Sequence, residues 1–275
     1  MILSIITINY NNKAGLQKTI DSVITQTFKD FEWIIIDGGS TDGSKELIEQ
    51  YSQYITYWVS EPDNGIYHAM NKGILVARGK FLYFLNSGDA LYSKSTLTSI
   101  FKQNLYGDII YGNAIFINKD KSKELVIPNK QLSLSYFMSR HVINHQSTFI
   151  NKKLFDNNLY NENLKLVSDW EFEIKQAILG KIYQYIDEIF VLYDNTGLTS
   201  QISDLLIKEQ AWVIDNISWA LKRDINELFD LRKKMNNGYV KIIYDFSNKK
   251  YIYKKIINIT IHILNFIERY TTKRN

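Results

Sequence analysis

The chain has 275 residues, a net charge of +4 and 14% aromatic residues, 19 of them Tyr. That length holds one large core with a small appendage, or two modest domains. The lack of cysteine excludes disulfides, thiolate catalysis and cysteine-ligated metal, and with four His a His-rich transition-metal centre is not expected. In chain order, Ile2 to Ile8 reads as a buried strand rather than a signal peptide, ending at the polar Asn9-Tyr10-Asn11-Asn12. Leu16, Ile20, Val23 and Ile24 then recur at helical spacing. Phe31 to Ile36 predicts a second strand ending at Asp37, followed by a glycine-rich turn and a helix carrying Leu47, Ile48 and Tyr51. Asp42, in a Ser-Thr-Asp run before that helix, reads as its N-cap. Ile55 to Val59 is a third strand, Ile66 to Ala77 a helix, and Phe81 to Leu85 a fourth strand.

Strands separated by short helices predict an α/β fold with a parallel sheet and helices on both faces. Ligands of such sheets bind outside the carboxyl ends of the strands, where Asn9, Asp37, Glu61 and Asp89 all fall. Further along, His145-Gln146 precede a strand-like run to Ile150, and Ser168-Asp169-Trp170-Glu171 reads as a capping box opening a helix to Gly180.

Together, Ile5-Ile6-Thr7-Ile8-Asn9-Tyr10-Asn11, Ile34-Ile35-Ile36-Asp37-Gly38-Gly39-Ser40-Thr41-Asp42-Gly43-Ser44, Glu61-Pro62-Asp63-Asn64-Gly65-Ile66-Tyr67, Ala69-Met70-Asn71-Lys72-Gly73-Ile74 and Gly79-Lys80-Phe81-Leu82-Tyr83-Phe84-Leu85-Asn86-Ser87-Gly88-Asp89 resemble the inverting family 2 glycosyltransferases, and His145-Gln146-Ser147 and Ser168-Asp169-Trp170-Glu171-Phe172 extend the likeness. It covers roughly residues 1–200. It implies a single Rossmann-like, nucleotide-sugar-binding domain of the GT-A type, with a mixed, mostly parallel sheet. Residues 1–90 would be its nucleotide half and 91–200 its acceptor half, with 201–275 a helical extension. It further implies a UDP-sugar donor, a glycan or lipid-linked glycan acceptor, and a divalent cation, Mn²⁺ or Mg²⁺.

By the same resemblance, Thr7, Asn9, Tyr10, Asp37, Asn86 and Ser87 contact the nucleotide. Asp63 and Lys72 would reach base and phosphate, against the plainer readings of a solvated loop acid and a surface lysine. Asp89 would hold the metal, although Asn86-Ser87-Gly88-Asp89 keeps one acid where the family carries two or three; the alternative is a turn-capping Asp. Asp169 would be the general base, where local electrostatics offers only a carboxylate complementing a helix dipole. His145, Gln146 and Trp170 would line the acceptor or donor-sugar side, with structural hydrogen bonding for His145 and core packing for Trp170 as the alternatives. A nucleotidyltransferase, or a binding protein that has lost its metal cluster, remains as a competing reading.

The last 35 residues stand apart in charge. From Lys241 onward, eight basic residues face two acids, leaving +6 there and −2 over the rest. A near-neutral body argues against nucleic acid as a partner. Ile256, Ile259, Ile263, Phe266 and Tyr270 fall at helical spacing between Lys254-Lys255 and Arg269. The stretch is shorter than the ~20 residues of a membrane span, and suits a helix lying in an anionic interface. The alternative is a helix packed on the domain or on a second subunit. A cytoplasmic location at the inner face of the cell membrane follows from the interfacial reading.

Overall fold

The computed structural model describes residues 1–195 and 203–217 and the single positions 223, 226 and 230; the basic amphipathic tail lies outside them. The first half alternates as its sequence predicts. Strands β1 (Leu3–Asn9), β2 (Phe31–Asp37), β3 (Tyr57–Ser60) and β4 (Phe81–Phe84) are separated by helices α1 (Lys13–Ile24), α2 (Ser44–Gln50) and α3 (Ile66–Val76). Parallel pairing sets Ile6 opposite Ile34 and Phe84, and Asn9 opposite Asp37. The third strand starts two residues later than its hydrophobicity suggests, because Ser52–Tyr54 close a 3-10 turn first.

Every residue of β1 is buried, so the strand reads as a continuous apolar run, as a sheet covered on both faces requires. Alternation still sorts its side chains. Leu3 and Ile5 join a core with Leu16 and Ile20 of α1, and Ile6 and Ile8 join another with Met70 and Ile74 of α3. Gly73 allows α3 to press against the sheet, since a Cβ there would lie 2.5 Å from Ile6 Cγ2.

The second half makes the sheet mixed. It contributes β5 (Ala90–Leu91), α4 (Thr96–Phe101), β6 (Ile109–Ile117), β7 (Lys123–Val126), α5 (Leu134–Met138), β8 (Thr148–Asn151), α6 (Ser168–Ile178), β9 (Tyr183–Asp194) and α7 (Ser203–Asn216). The strand order is β3-β2-β1-β4-β8-β6-β9-β5, with β7 on β6. Strand β8 runs antiparallel between β4 and β6. Its 3-10 entry, His145–Ser147, is thereby delivered beside the end of β4.

Two local expectations change. Ser168 is the first residue of α6 and caps nothing; its hydroxyl accepts the Asn161 amide at 2.6 Å and fastens the preceding loop, while Glu171 pairs with Lys175 at 3.1 Å. Asp42 does cap, from one residue before the cap position, accepting Ser44 N at 3.1 Å and also Lys13 N at 2.7 Å. One carboxylate thus serves the starts of α1 and α2. Residues Met1–Ile214 form one compact unit, within which the carboxylate of Glu209 on α7 accepts the amides of Lys165 and Leu166. Among the described residues no helix is long and apolar enough to cross a membrane.

Candidate active site

The carboxyl ends of β1, β2 and β3 build a floor around Asp37. Its carboxylate accepts Ser40 Oγ at 2.6 Å, Ser40 N at 2.9 Å, Ser60 Oγ at 2.6 Å and Asn9 Nδ2 at 2.7 Å. Burial pushes this carboxyl up, but the donors from Ser40, Ser60 and Asn9 outweigh it and hold it below the ordinary range. Asp37 is 0% exposed with its acceptor capacity filled, and Thr7, also enclosed, receives Trp33 Nε1 at 3.0 Å. Their enclosure supports a place for these two beneath the surface that a nucleotide would meet. Asn9 is likewise buried, with Oδ1 left without a partner.

Tyr10, Gly38 and Asp63 form the surface above this floor. Tyr10 is 67% exposed. A Cβ on Gly38 would lie 2.7 Å from Asp63 Oδ2 and 3.2 Å from the Tyr10 ring, so the bare glycine lets both side chains close over the strand end. Asp63 is held by the Gly65 amide at 2.9 Å. Lys72 pairs with Glu61 at 2.8 Å.

Beyond β4 the chain turns sharply through Asn86-Ser87-Gly88-Asp89. Gly88 has φ +105°, which only glycine adopts without strain. Thr19 Oγ1 donates to Asp89 O at 2.7 Å, Asn12 Nδ2 to Ser87 O at 3.1 Å, and Lys18 Nζ to Gly88 O at 2.6 Å. Asp89 is buried, and its Oδ1 accepts the Asp194 amide at 2.9 Å. Burial pushes its carboxyl up to about 7, although the Asp194 amide, His145 and Lys18 pull the other way; the Asp194 charge adds to the rise. Among the described residues no three acids or histidines converge as a metal cage. A hard cation needs only one or two carboxylates when diphosphate oxygens and water complete its shell. A buried carboxyl short of positive charge fits that role.

The fourth part is a chain of side chains from distant segments. Tyr67 Oη donates to Asp169 Oδ1 at 2.7 Å, His145 Nδ1 lies 3.0 Å from Asp169 Oδ2, and His145 Nε2 lies 3.3 Å from Asn86 Nδ2. Asp169 and His145 keep 21% and 19% of their side-chain surface exposed. Burial pushes the Asp169 carboxyl up, but the His145 hydrogen bond and charge, with Tyr67, bring it below the usual carboxylate range. One turn along α6, Glu173 is buried with Oε2 unpartnered, and burial together with the Asp169 charge pushes it well upward. Gln146 is buried. Trp170 is enclosed, with Nε1 donating to Phe137 O and His141 O at 3.1 Å each. That enclosure supports the core-packing reading.

Two members of this site carry no local signal in the sequence, Lys18, which reads as a surface lysine of α1, and Asp194, which reads as the end of a strand; Tyr67 closes the segment Glu61–Tyr67 that carries the resemblance, without a role of its own there. Only the pairing of β5 with β9, which sets Ala90 opposite Leu192, brings Asp194 to Asp89.

The model of the family described as "Glycosyl transferase family 2" matches residues 4–157. A PGL/p-HBAD biosynthesis glycosyltransferase of Mycobacterium bovis is 29% identical over 212 residues, 74% of this chain and 81% of that protein. Among solved structures, S. aureus TarS 1–349 in complex with UDP-GlcNAc superposes with a TM-score of 0.63 at 19% identity, covering 82% of this chain and 70% of that one. The chain spans 46% of the longer TarS structure. A mannosyltransferase from Pyrobaculum calidifontis, in complex with GDP-Man and Mn²⁺, gives a TM-score of 0.56 at 11% identity over 95% of this chain and 84% of its own. At these identities the structures establish the GT-A fold.

Proposed function

This chain belongs to glycosyl transferase family 2, and on that premise we propose that it moves a sugar from a UDP-sugar to a hydroxyl of a glycan or lipid-linked glycan, in one displacement with inversion. The observation that carries this reading is the chain Tyr67–Asp169–His145–Asn86, which ends on the turn holding Asp89. In this reading the chain links a proton-accepting group to the turn whose carboxyl would face the diphosphate, which supports a single in-line displacement.

Tyr10 stacks on the uracil in this reading, and Asp63 accepts its N3–H, above the floor held by Asp37, Asn9 and Thr7. Asn86 and Ser87 face the ribose and diphosphate, and Lys18 adds positive charge beside them. Asp89 would hold Mn²⁺ or Mg²⁺. Such an ion, when bound, neutralises charge on the departing diphosphate. Asp169 is the carboxylate on which removal of the acceptor's proton depends. The basic tail would keep the enzyme on the inner, anionic face of a membrane beside a lipid-linked acceptor.

Thermal stabilisation and UDP release, measured across UDP-glucose, UDP-galactose, UDP-GlcNAc and UDP-GalNAc, test the reading. A donor at ~100 times its dissociation constant should add ~2.7 kcal/mol. A panel that neither stabilises the protein nor yields UDP would overturn it.

A further inference from the structure

We propose that Asp194, at the end of β9, supplies the second carboxylate of the divalent-cation site that Asp89 begins. The inference rests on the transferase reading above, in which a cation serves the diphosphate, and it names a ligand that the turn after β4 does not contain.

That turn, Asn86-Ser87-Gly88-Asp89, has one acid. Gly88 has φ +105°, a backbone conformation in which an aspartate would be strained. The facing strand makes good the loss. Strand β5 pairs antiparallel with β9, Ala90 opposite Leu192 and Leu91 opposite Val191. Continued past the ladder, that register sets Gly88 across from Asp194. Residues directly opposite in an antiparallel pair share a face, with Cβ atoms within about 5.5 Å. The distances agree, since a Cβ on Gly88 would lie 3.9 Å from Asp194 Cβ and 3.8 Å from Asp194 Oδ2. A carboxylate is thus delivered from β9 to the side on which a residue at position 88 would carry its own.

Asp89 is 4% exposed, and its Oδ1 accepts the Asp194 amide at 2.9 Å. Its Oδ2 has no hydrogen-bond partner among the described residues. Both acids therefore belong to one turn, and Asp89 feels the charge of Asp194. Lys18 Nζ donates to Gly88 O at 2.6 Å and reaches Asp89 only through space. Neighbouring carboxylates repel unless a cation or a proton lies with them. A hard divalent ion draws one or two carboxylates from the protein when diphosphate oxygens and water supply the rest. Asp89 and Asp194 make that pair.

The bond from Asp194 to Asp89 is made by main-chain N–H, so exchanging the Asp194 side chain leaves it in place. The test titrates Mn²⁺ into the full chain with UDP present and counts the free ion by electron paramagnetic resonance. It compares the parent, Asp194→Asn and, as a control for the same charge change on the same strand, Asp187→Asn. Losing a group that merely supports a metal ligand costs roughly 10–100-fold in affinity, so Asp194→Asn should weaken Mn²⁺ binding at least about tenfold. The Mn²⁺ needed for half-maximal UDP release should rise in step. A second measurement needs no variant: in the parent made with carboxyl-labelled aspartate, electron–nuclear double resonance of bound Mn²⁺ should show two coupled carboxyl carbons. Weakening short of about tenfold in Asp194→Asn, equal weakening in Asp187→Asn, or a single coupled carbon overturns the assignment. Any of these in a parent that still releases UDP leaves the transferase reading standing. A parent that binds Mn²⁺ through both aspartates and releases no UDP from any donor supports the ligand assignment and fails the transferase reading alone.

Discussion

The phenol of Tyr67 donates to Asp169 Oδ1 at 2.7 Å across 102 residues of chain. Tyr67 is the second residue of α3 and Asp169 the second of α6, so the bond joins the first turns of two helices that the sequence keeps far apart. Tyr67 is itself buried against Tyr160, with ring centroids 5.6 Å apart. Its hydroxyl is therefore fixed in direction, and Asp169 is held by a rigid donor on one oxygen and by the His145 ring on the other.

Asp169→Asn keeps the shape of this site and removes its charge. Turnover should drop by ~10²–10⁴-fold, the usual range for losing proton-transfer assistance. UDP binding should persist, because Tyr10, Gly38 and Asp63 are untouched. Steady-state UDP release beside a UDP titration separates the two, and turnover within a few-fold of the parent would exclude any role for Asp169 in removing the proton.

Asp89 ties stability to pH. Its carboxyl stands at about 7 in the fold against 3.8 for the free group. Between those values the folded protein binds more protons than the unfolded chain, so stability falls as pH rises through the window. In metal-free protein, Asp89→Asn should match the parent near pH 4 and melt higher at pH 8. Mn²⁺ should raise the parent's melting temperature at pH 8 and leave the variant unmoved. Parent and variant that respond alike to pH and to Mn²⁺ would remove Asp89 from the metal site.

The strand ends were legible because buried apolar runs stop at single polar residues, and Asn9, Asp37 and Asp89 mark the places. Which of these side chains meet a ligand was not legible. Thr7 shares the period-two face of Leu3 and Ile5, so its hydroxyl turns to Trp33 beneath α1. Asp37 is drawn inward by Ser40 and Ser60, the second arriving from β3. Lys18, Tyr67 and Asp194 depend on helix docking and strand pairing, and no short motif encodes either. Trp170 was ambiguous for a related reason: its position beside Asp169 suggests ligand contact, while α-helical geometry points successive residues in different directions.

Trp170→Phe tests that last assignment. The single indole N–H is shared between Phe137 O and His141 O, and Phe137 O keeps the Arg140 amide at 2.9 Å when it is lost. Destabilisation of ~0.5–1.5 kcal/mol is expected from the lost hydrogen bond, read as a lower denaturation midpoint. The KM for acceptor should stay within about twofold, since uniform binding would change only if the ring touched substrate. A variant of parental stability with a raised acceptor KM would return Trp170 to the acceptor side.

The tail carries its prediction in its charge. Lys254, Lys255, Arg269, Lys273 and Arg274 bracket an apolar stretch, and basic residues close to an anionic surface contribute about 1 kcal/mol each. The full chain should co-sediment with phosphatidylserine-containing vesicles at low salt and leave them as salt rises, because the Debye length falls to ~3 Å at 1 M. A chain ending at Tyr239 retains the compact unit Met1–Ile214, so its thermal shift with UDP should persist while vesicle binding is lost. Equal sedimentation of both chains, or none by the full chain at low salt, would sink the membrane reading; concentration-dependent self-association lost on truncation would assign the tail to a second subunit instead.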